Sequence, residues 1–512
     1  MEKTSITAVN RRAFLKGAGS VGLGAAALGL FACSGTAQAE ADSADAPAPR
    51  TVAETIETDI VIIGAGNAGL AAAVQAGEEG LATIILEKMA QVGGNGAITE
   101  GIFGMNSSLQ KEQGISFTFK DIVVDEAETF NYSVNLLFWK DMVDASGANI
   151  DWLLSHGVQI ERVDDYHGFS IVLGCHAWKD DKGSESFTAP MKAAAESRGT
   201  QILTSTPVDE LILEDGRVVG VYAQREDGST LAVRGRAVII ATGGYLNDEA
   251  RMIRKGYEPG SFLDGGLAGH DGDGLNLAVS AGGVDRIMNR CFVEQSIFYE
   301  VPKITNPIAR MAQGIGSSLW INGNCERYVN ENCAAKIIGR GVKAIKTQQA
   351  SYVVMSTDYL SAKGLLEAAE ETLAADTSGT KFKGSTIGEA ATNAGLDAAA
   401  LAATLERYNQ LCARGSDDDF GKPAEFMVPL GEGPFYIFEQ QPKILNSVGG
   451  IHCNRNMQVV DELEEPVEGL YAIGADGCEL YAEMYTLSVS GSCNGYNIYS
   501  GRKAVEHIAQ GL

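Results

Sequence analysis

Proline is scarce in this 512-residue chain, at 12 residues, and histidine scarcer, at 6. So few prolines exclude a Pro-rich linker or polyproline protein. Nine cysteines occur, none in CxxC or CxxCH spacing. Attachment of c-type haem, a zinc site and a ferredoxin-type cluster therefore have no basis in the sequence. Basic residues are outnumbered, 40 Lys and Arg against 66 Asp and Glu, for a net charge of −26. Such a surface repels DNA, RNA and anionic lipid. No internal repeat stands out. What remains is ordinary globular material, 45% hydrophobic and 21% charged, with an unusual 61 glycines. That glycine count suits an α/β protein with many tight backbone approaches to a nucleotide.

Residues 1–39 read as an address. Asn10-Arg11-Arg12-Ala13-Phe14-Leu15-Lys16 is a twin-arginine pattern, and an apolar Gly/Ala-rich run follows from Gly17 to Ala32. That run falls short of the ~20 residues that a spanning helix needs. Basic start, apolar middle and small-residue end together predict export by the twin-arginine route, to a periplasmic or other extracytoplasmic site. Two cleavage sites compete. Ala37-Gln38-Ala39 fits a small-x-small site, whereas Leu30-Phe31-Ala32-Cys33 resembles a lipobox and would leave a lipid anchor on Cys33, the one expected membrane link. Residues 40–57, rich in Ala, Asp, Glu and Pro, read as a flexible tether.

Asp59-Ile60-Val61-Ile62-Ile63 is a continuous apolar run, as expected of a strand buried on both faces. Gly64-Ala65-Gly66-Asn67-Ala68-Gly69 follows, then a helical stretch, then a second buried strand that ends at Glu87. Gly64 makes the turn, Gly66 admits a pyrophosphate, and Gly69 lets helix and strand pack closely. The helix start at Asn67 offers free N–H groups to phosphate. Glu87 is placed to accept from a ribose diol. Gln91-Val92-Gly93-Gly94-Asn95-Gly96 is a second glycine loop. Ala237 to Gly244 and Gly469 to Asp476 are further strands ending in small residues or a carboxylate. One long dinucleotide touching strands from both chain ends accounts for these scattered loops, and favours FAD over NAD.

These segments resemble the flavoprotein family of fumarate reductases and succinate dehydrogenases, in the flavocytochrome c-type form without a haem domain. The resemblance runs from about Thr58 to Leu512. Gly272-Asp273-Gly274 is similar to the family's FAD-side turn. Glu326-Arg327-Tyr328-Val329-Asn330-Glu331, Leu405 to Asn409 and Asp417 to Gly421 are similar to segments of its capping domain. The resemblance implies an α/β protein: a Rossmann-like FAD-binding domain formed from both chain ends (58–290 and 441–512), with an inserted α+β capping domain at 291–440. It implies FAD contacts at Gly64, Gly66, Asn67, Ala68, Gly69, Glu87, Lys88, Gly93, Gly94, Asn95, Gly96, Gly101, Val208, Ala241, Thr242, Gly243, Asp273, Gly450, Gly474, Asp476, Ser492 and Cys493. Members that attach FAD through histidine carry it in the loop after the acidic residue. Lys88 to Ala97 contains none, so FAD is expected to be non-covalent.

The family reduces activated C=C bonds by hydride transfer from flavin N5 and proton donation from the protein. Its catalytic positions have changed here. Asn446 stands where a substrate-gripping His would be, Ala335 where the acid Arg would be, and Ser488 at or near a carboxylate-binding Arg. Fumarate is thus an unexpected substrate. Tyr485 resembles a tyrosine that 3-ketosteroid dehydrogenases use near a substrate carbonyl. Lys336 and Arg340 are the local candidates for proton donor. His176, Tyr299, Arg310 and Tyr481 are weaker candidates, and for His176 a structural role is the simpler expectation. The expected function is reduction of an enone or enoate, with electrons from a separate redox protein or quinol-linked carrier and no metal in the chain. Dehydrogenation in the ketosteroid sense, or flavin-based electron transfer without a substrate of its own, are the alternatives.

Overall fold

A computed structural model describes residues 50–511, apart from 167, 169, 300–307, 313–317, 334–336 and 338. The export signal, both cleavage sites, Cys33, most of the tether and Lys336 lie outside the described residues, as does the side chain of Arg310.

The apolar run after Asp59 forms strand Ile60–Ile63, buried throughout, at the centre of a six-stranded sheet. Thr83–Leu86 and then Gln201–Leu203 lie on one side of it. Ala237–Ile240, Pro466–Ala472 and Gln458–Val460 lie on the other. All neighbours are parallel except the last pair, so the sheet needs cover on both faces. The strands come from both ends of the chain and meet side by side, with Ile60 opposite Ala237 and Val238 opposite Leu470. Helix Asn67–Glu78 packs against helix Ser492–Gln510 near the C-terminus. At their crossing a Cβ on Gly501 would sit 2.6 Å from the Ala68 carbonyl, so only glycine allows the approach. A four-stranded sheet, Val52–Glu57, Thr230–Arg234, Arg217–Gln224 and Val208–Glu214, flanks this core.

Residues of the middle of the chain build a second sheet around one long strand, Phe435–Val448. Its outer end pairs with Ser351–Ser356 and Lys381–Gly384, and its inner end with Cys291–Phe298. A separate hydrophobic cluster, from Ile297 to Phe438, fills this region. The sequence boundary at residue 440 falls within that strand.

The two segments that resembled capping-domain motifs meet here. Arg327 is forked onto Glu331 at 2.6 and 2.8 Å and onto Asp417 at 2.9 and 2.7 Å. Its guanidinium also lies over the rings of Tyr408 and Phe420, and the Lys422 ammonium lies 3.4 Å from Glu331. Burial alone would raise the Asp417 carboxyl, but Arg327 and the backbone amides hold it well below the usual range. The motifs are joined because a buried charge without its partner is costly.

Candidate active site

One cleft opens at the C-terminal ends of the parallel strands, where open α/β sheets bind ligands. Sixteen of the expected cofactor residues line it: Gly64, Gly66, Asn67, Ala68, Glu87, Lys88, Gly93, Gly94, Asn95, Gly96, Val208, Ala241, Thr242, Gly243, Asp273 and Gly474. Asn446, expected on the substrate side, lines it too. Gly64 has φ +105°, and a Cβ there would meet the Ala241 carbonyl at 2.4 Å. Helix Asn67–Glu78 starts without a side-chain cap, so its first N–H groups remain free for a phosphate.

Glu87 follows the end of its strand and grips the backbone. Its two oxygens accept the Ala65 and Met89 N–H groups, each at 2.7 Å, and so pin both glycine loops. The lone pairs left over can still serve a diol. Lys88 bridges Asp271 and Asp273 at 2.6 Å each. Burial alone would lower its ammonium, but the two carboxylates outweigh that and raise it.

Asp476 is 3% exposed and stands behind the cleft, accepting from Gly243 N–H at 2.9 Å and Thr242 Oγ1 at 3.0 Å. Its effect on a cofactor is to fix that loop. Gly69, Gly101, Gly450, Ser492 and Cys493 also lie off the lining. A Cβ on Gly69 would strike the Gly64 carbonyl, so this glycine serves helix–strand packing. Sequence reasoning missed Met89, Gly269, His270 and Asn497, which line the cleft. His270 lies within the Gly-His-Asp-Gly-Asp-Gly run, next to a motif that had been noticed. Asn497 sits one helical turn after Asn494 and donates to it at 3.1 Å.

The lining suits FAD. Asn67 Oδ1 and Asn497 Oδ1 are buried, lie on the cleft and have no partner within the protein. Such orphans imply polar ligand groups. Free helix-start amides, two glycine loops and a carboxylate at the strand end match phosphates, backbone approach and ribose in turn.

A second cluster gathers where the chain enters helix Ser492–Gln510. Tyr485 is 7% exposed, its ring edge-on to Tyr481 at 5.1 Å. Tyr481 donates to Ser492 at 2.6 Å and stacks edge-on with Trp139. Burial, with Cys493 nearby, pushes the Tyr485 phenol far above the ordinary tyrosine range. Val293, Ile337 and Met484 belong to the same apolar cluster. Ser488 is buried with an unpartnered Oγ, while its carbonyl accepts from Ile171 N–H and Ser170 Oγ, each at 2.9 Å. Asn446 pairs with Val293 across the long strand, and its Oδ1 accepts from Asn95 Nδ2 at 3.3 Å.

Arg340 does not join them. It lies on the exposed face of helix Gly339–Ile345, whose buried face is Gly339, Gly341, Val342 and Ile345. His176 is fully buried, with Nε2 2.7 Å from Ser107 Oγ and Nδ1 3.1 Å from the Gly174 carbonyl. Burial lowers it to about 4, so it is a neutral structural histidine at neutral pH. Behind the cleft, His452 sits between Glu479 and Glu464, 2.9 Å from each. Burial alone would lower it, but the two carboxylates outweigh that and raise it.

The comparisons with known proteins agree with the cleft. The family described as "FAD binding domain" matches residues 59–491. A vinyl phenol reductase of Lactiplantibacillus plantarum is 30% identical over 491 residues, covering 90% of this chain and 98% of that protein. A urocanate reductase of Eggerthella lenta is 29% identical over 437 residues, covering 82% of this chain and 70% of that one. The open conformation of a flavocytochrome c3 fumarate reductase has the same fold, with a TM-score of 0.70 at 19% identity over 90% of this chain and 79% of that one. The protein is an FAD-binding oxidoreductase that acts on C=C bonds. It belongs to the fumarate reductase and succinate dehydrogenase flavoprotein family.

Proposed function

We propose that this enzyme reduces an enone or an aromatic alkene that carries no second carboxylate. One observation supports this most: among the described residues, Asn446 and Ser488, the two side chains expected to grip substrate, are uncharged. Asn446 is held by Asn95, Ser488 offers a hydroxyl, and Tyr485, Met484, Ile337 and Val293 supply apolar walls. A second carboxylate brought against these two side chains would lose water and gain no ion pair from them, which costs several kcal/mol. The relatives that reduce vinyl phenol and urocanate fit the same reading.

FAD, when bound, supplies the hydride. The chain supplies the rest. The glycine loops and Glu87 orient the cofactor, non-covalently in our reading. Residues 291–440 act as the cap that keeps water out. The buried Tyr485 phenol stays protonated, so it can polarise a carbonyl or give a proton to carbon. Reducing equivalents come from a separate redox protein or quinol-linked carrier, outside the cytoplasm after twin-arginine export.

The test is anaerobic. Dye-reduced holoenzyme is mixed with vinyl phenol, aromatic acrylates, steroidal enones and fumarate, and flavin reoxidation is followed. Fast reoxidation by an aromatic alkene or enone, and little by fumarate, is expected. Fumarate as the best oxidant would overturn the reading. Efficient oxidation of saturated ketones with a dye acceptor would instead favour the dehydrogenase direction.

A further inference from the structure

Helix Phe119–Thr129 turns Glu126 into the protein interior, where it is 1% exposed. The Thr486 hydroxyl approaches it, yet neither carboxyl oxygen makes a well-formed hydrogen bond. Leucine would fill this place at no electrostatic cost, whereas an ionised carboxylate without partners is among the most expensive groups to bury. Thr486 leads away from Glu126 towards the chemistry. It joins Tyr485 by a peptide bond, and its Oγ1 accepts the Ser488 N–H at 2.9 Å, which leaves its own proton free. Ser488 Oγ, two residues on, is another buried atom without a partner. One orphaned carboxyl thus meets the Thr486 hydroxyl, and a second orphan, Ser488 Oγ, lies two residues further along the turn that starts at Tyr485.

We propose that Glu126 is the internal proton store of the reaction, passing its proton through the Thr486 hydroxyl to the Tyr485–Ser488 turn. The proposal rests on the reading that this turn faces the substrate. Each turnover adds one hydride and one proton across the C=C bond. At the protein end the Glu126 O–H bond breaks as an O–H bond forms on Thr486. The proton that Thr486 already held passes to the Tyr485 phenol oxygen as the phenol O–H bond breaks and its own proton bonds to carbon. Water then returns a proton to the carboxylate. Glu126 touches no substrate; it acts through Thr486. Burial, and to a lesser extent the charge of Asp125, push its carboxyl up to about 8, while Thr486 pulls it back slightly. At neutral pH it is therefore a loaded acid.

Infrared difference spectra of resting holoenzyme test the store without any substrate. Wild-type protein should show a protonated-carboxyl band that fades with a midpoint near pH 8, and Glu126→Gln should lack it. A band absent, or already lost by about pH 6, overturns the proposal. Reoxidation of dye-reduced flavin by vinyl phenol tests the transfer. The wild-type rate should fall about tenfold per pH unit above the midpoint. Glu126→Gln and Thr486→Val should each be about tenfold slower at neutral pH and lose that alkaline fall, with FAD content unchanged. Wild-type rates and pH profiles in both variants overturn it. Failure of the functional reading looks different: no compound reoxidises the wild-type flavin although the band is present, and the store then has no reaction to serve.

Discussion

The cofactor cleft and the Tyr485 cluster lie a few residues apart and are built in different ways. The cleft is made of backbone. Its parts are carbonyl–glycine contacts, helix-start amides and strand ends, and Glu87 with Asp476 behind it grip backbone amides. The Tyr485 cluster is made of side chains from distant segments, set into an apolar core. A backbone site tolerates few changes and keeps one ligand. A side-chain site can change its chemistry without disturbing the fold, and here it holds the uncharged Asn446 and Ser488.

The largest expected effect is on the backbone side. Glu87→Ala removes two hydrogen bonds to a charged group, worth about 1.5–3 kcal/mol each. FAD affinity should drop on the order of 1,000-fold (about 4.1 kcal/mol), read from the flavin-to-protein absorbance ratio after gel filtration. Full flavination would break the comparison. Next comes Arg327→Met, off the cleft, which leaves Glu331 facing Lys422 and Asp417 held by backbone amides without its guanidinium. It should cost about 3 kcal/mol, the low end for a broken buried pair because Lys422 stays on Glu331, in denaturant unfolding of the middle region. Unaltered unfolding would show that the buried network contributes nothing.

Tyr485→Phe sharpens the contrast from the other side. Turnover should fall about 100-fold while bound FAD and its spectrum stay intact, because only a side-chain function is lost. Unchanged turnover would remove Tyr485 from the mechanism. The smallest effect belongs to His452. Its folded-state pKa is raised, so its stabilisation is complete below the unfolded value near 6.5 and disappears as pH rises through the higher folded value. Wild-type and His452→Gln should differ by roughly 1 kcal/mol near pH 6 and converge near pH 9. A gap that is constant with pH would refute the pairing with Glu479 and Glu464.

Legibility in the sequence follows the same division. Gly64, Gly66, Gly93 and Glu87 announce themselves because backbone geometry demands particular residues at fixed spacing, so fold and cleft could be read in advance. Asp476 and Gly69 were recognised as needed, though the structure gives them supporting rather than lining positions. Side-chain chemistry left weaker marks. Arg340 looked plausible by its place in the chain, yet the 3.6-residue period puts it on the outer face of its helix. Glu126 left no mark at all. A glutamate in a mixed helix reads as surface until the packing around Thr486 is known.

The strand Phe435–Val448 runs from the middle region to the edge of the cofactor cleft, but its pleat is interrupted once. Pairing passes from Glu294–Ile444 to Val293–Asn446, which leaves Leu445 as an extra residue just before Asn446. A molecule that wedges against the outer end is therefore cushioned at Leu445 before it reaches Asn446 and its Asn95 contact. Binding of an unreactive look-alike at that end should then leave the flavin colour unchanged.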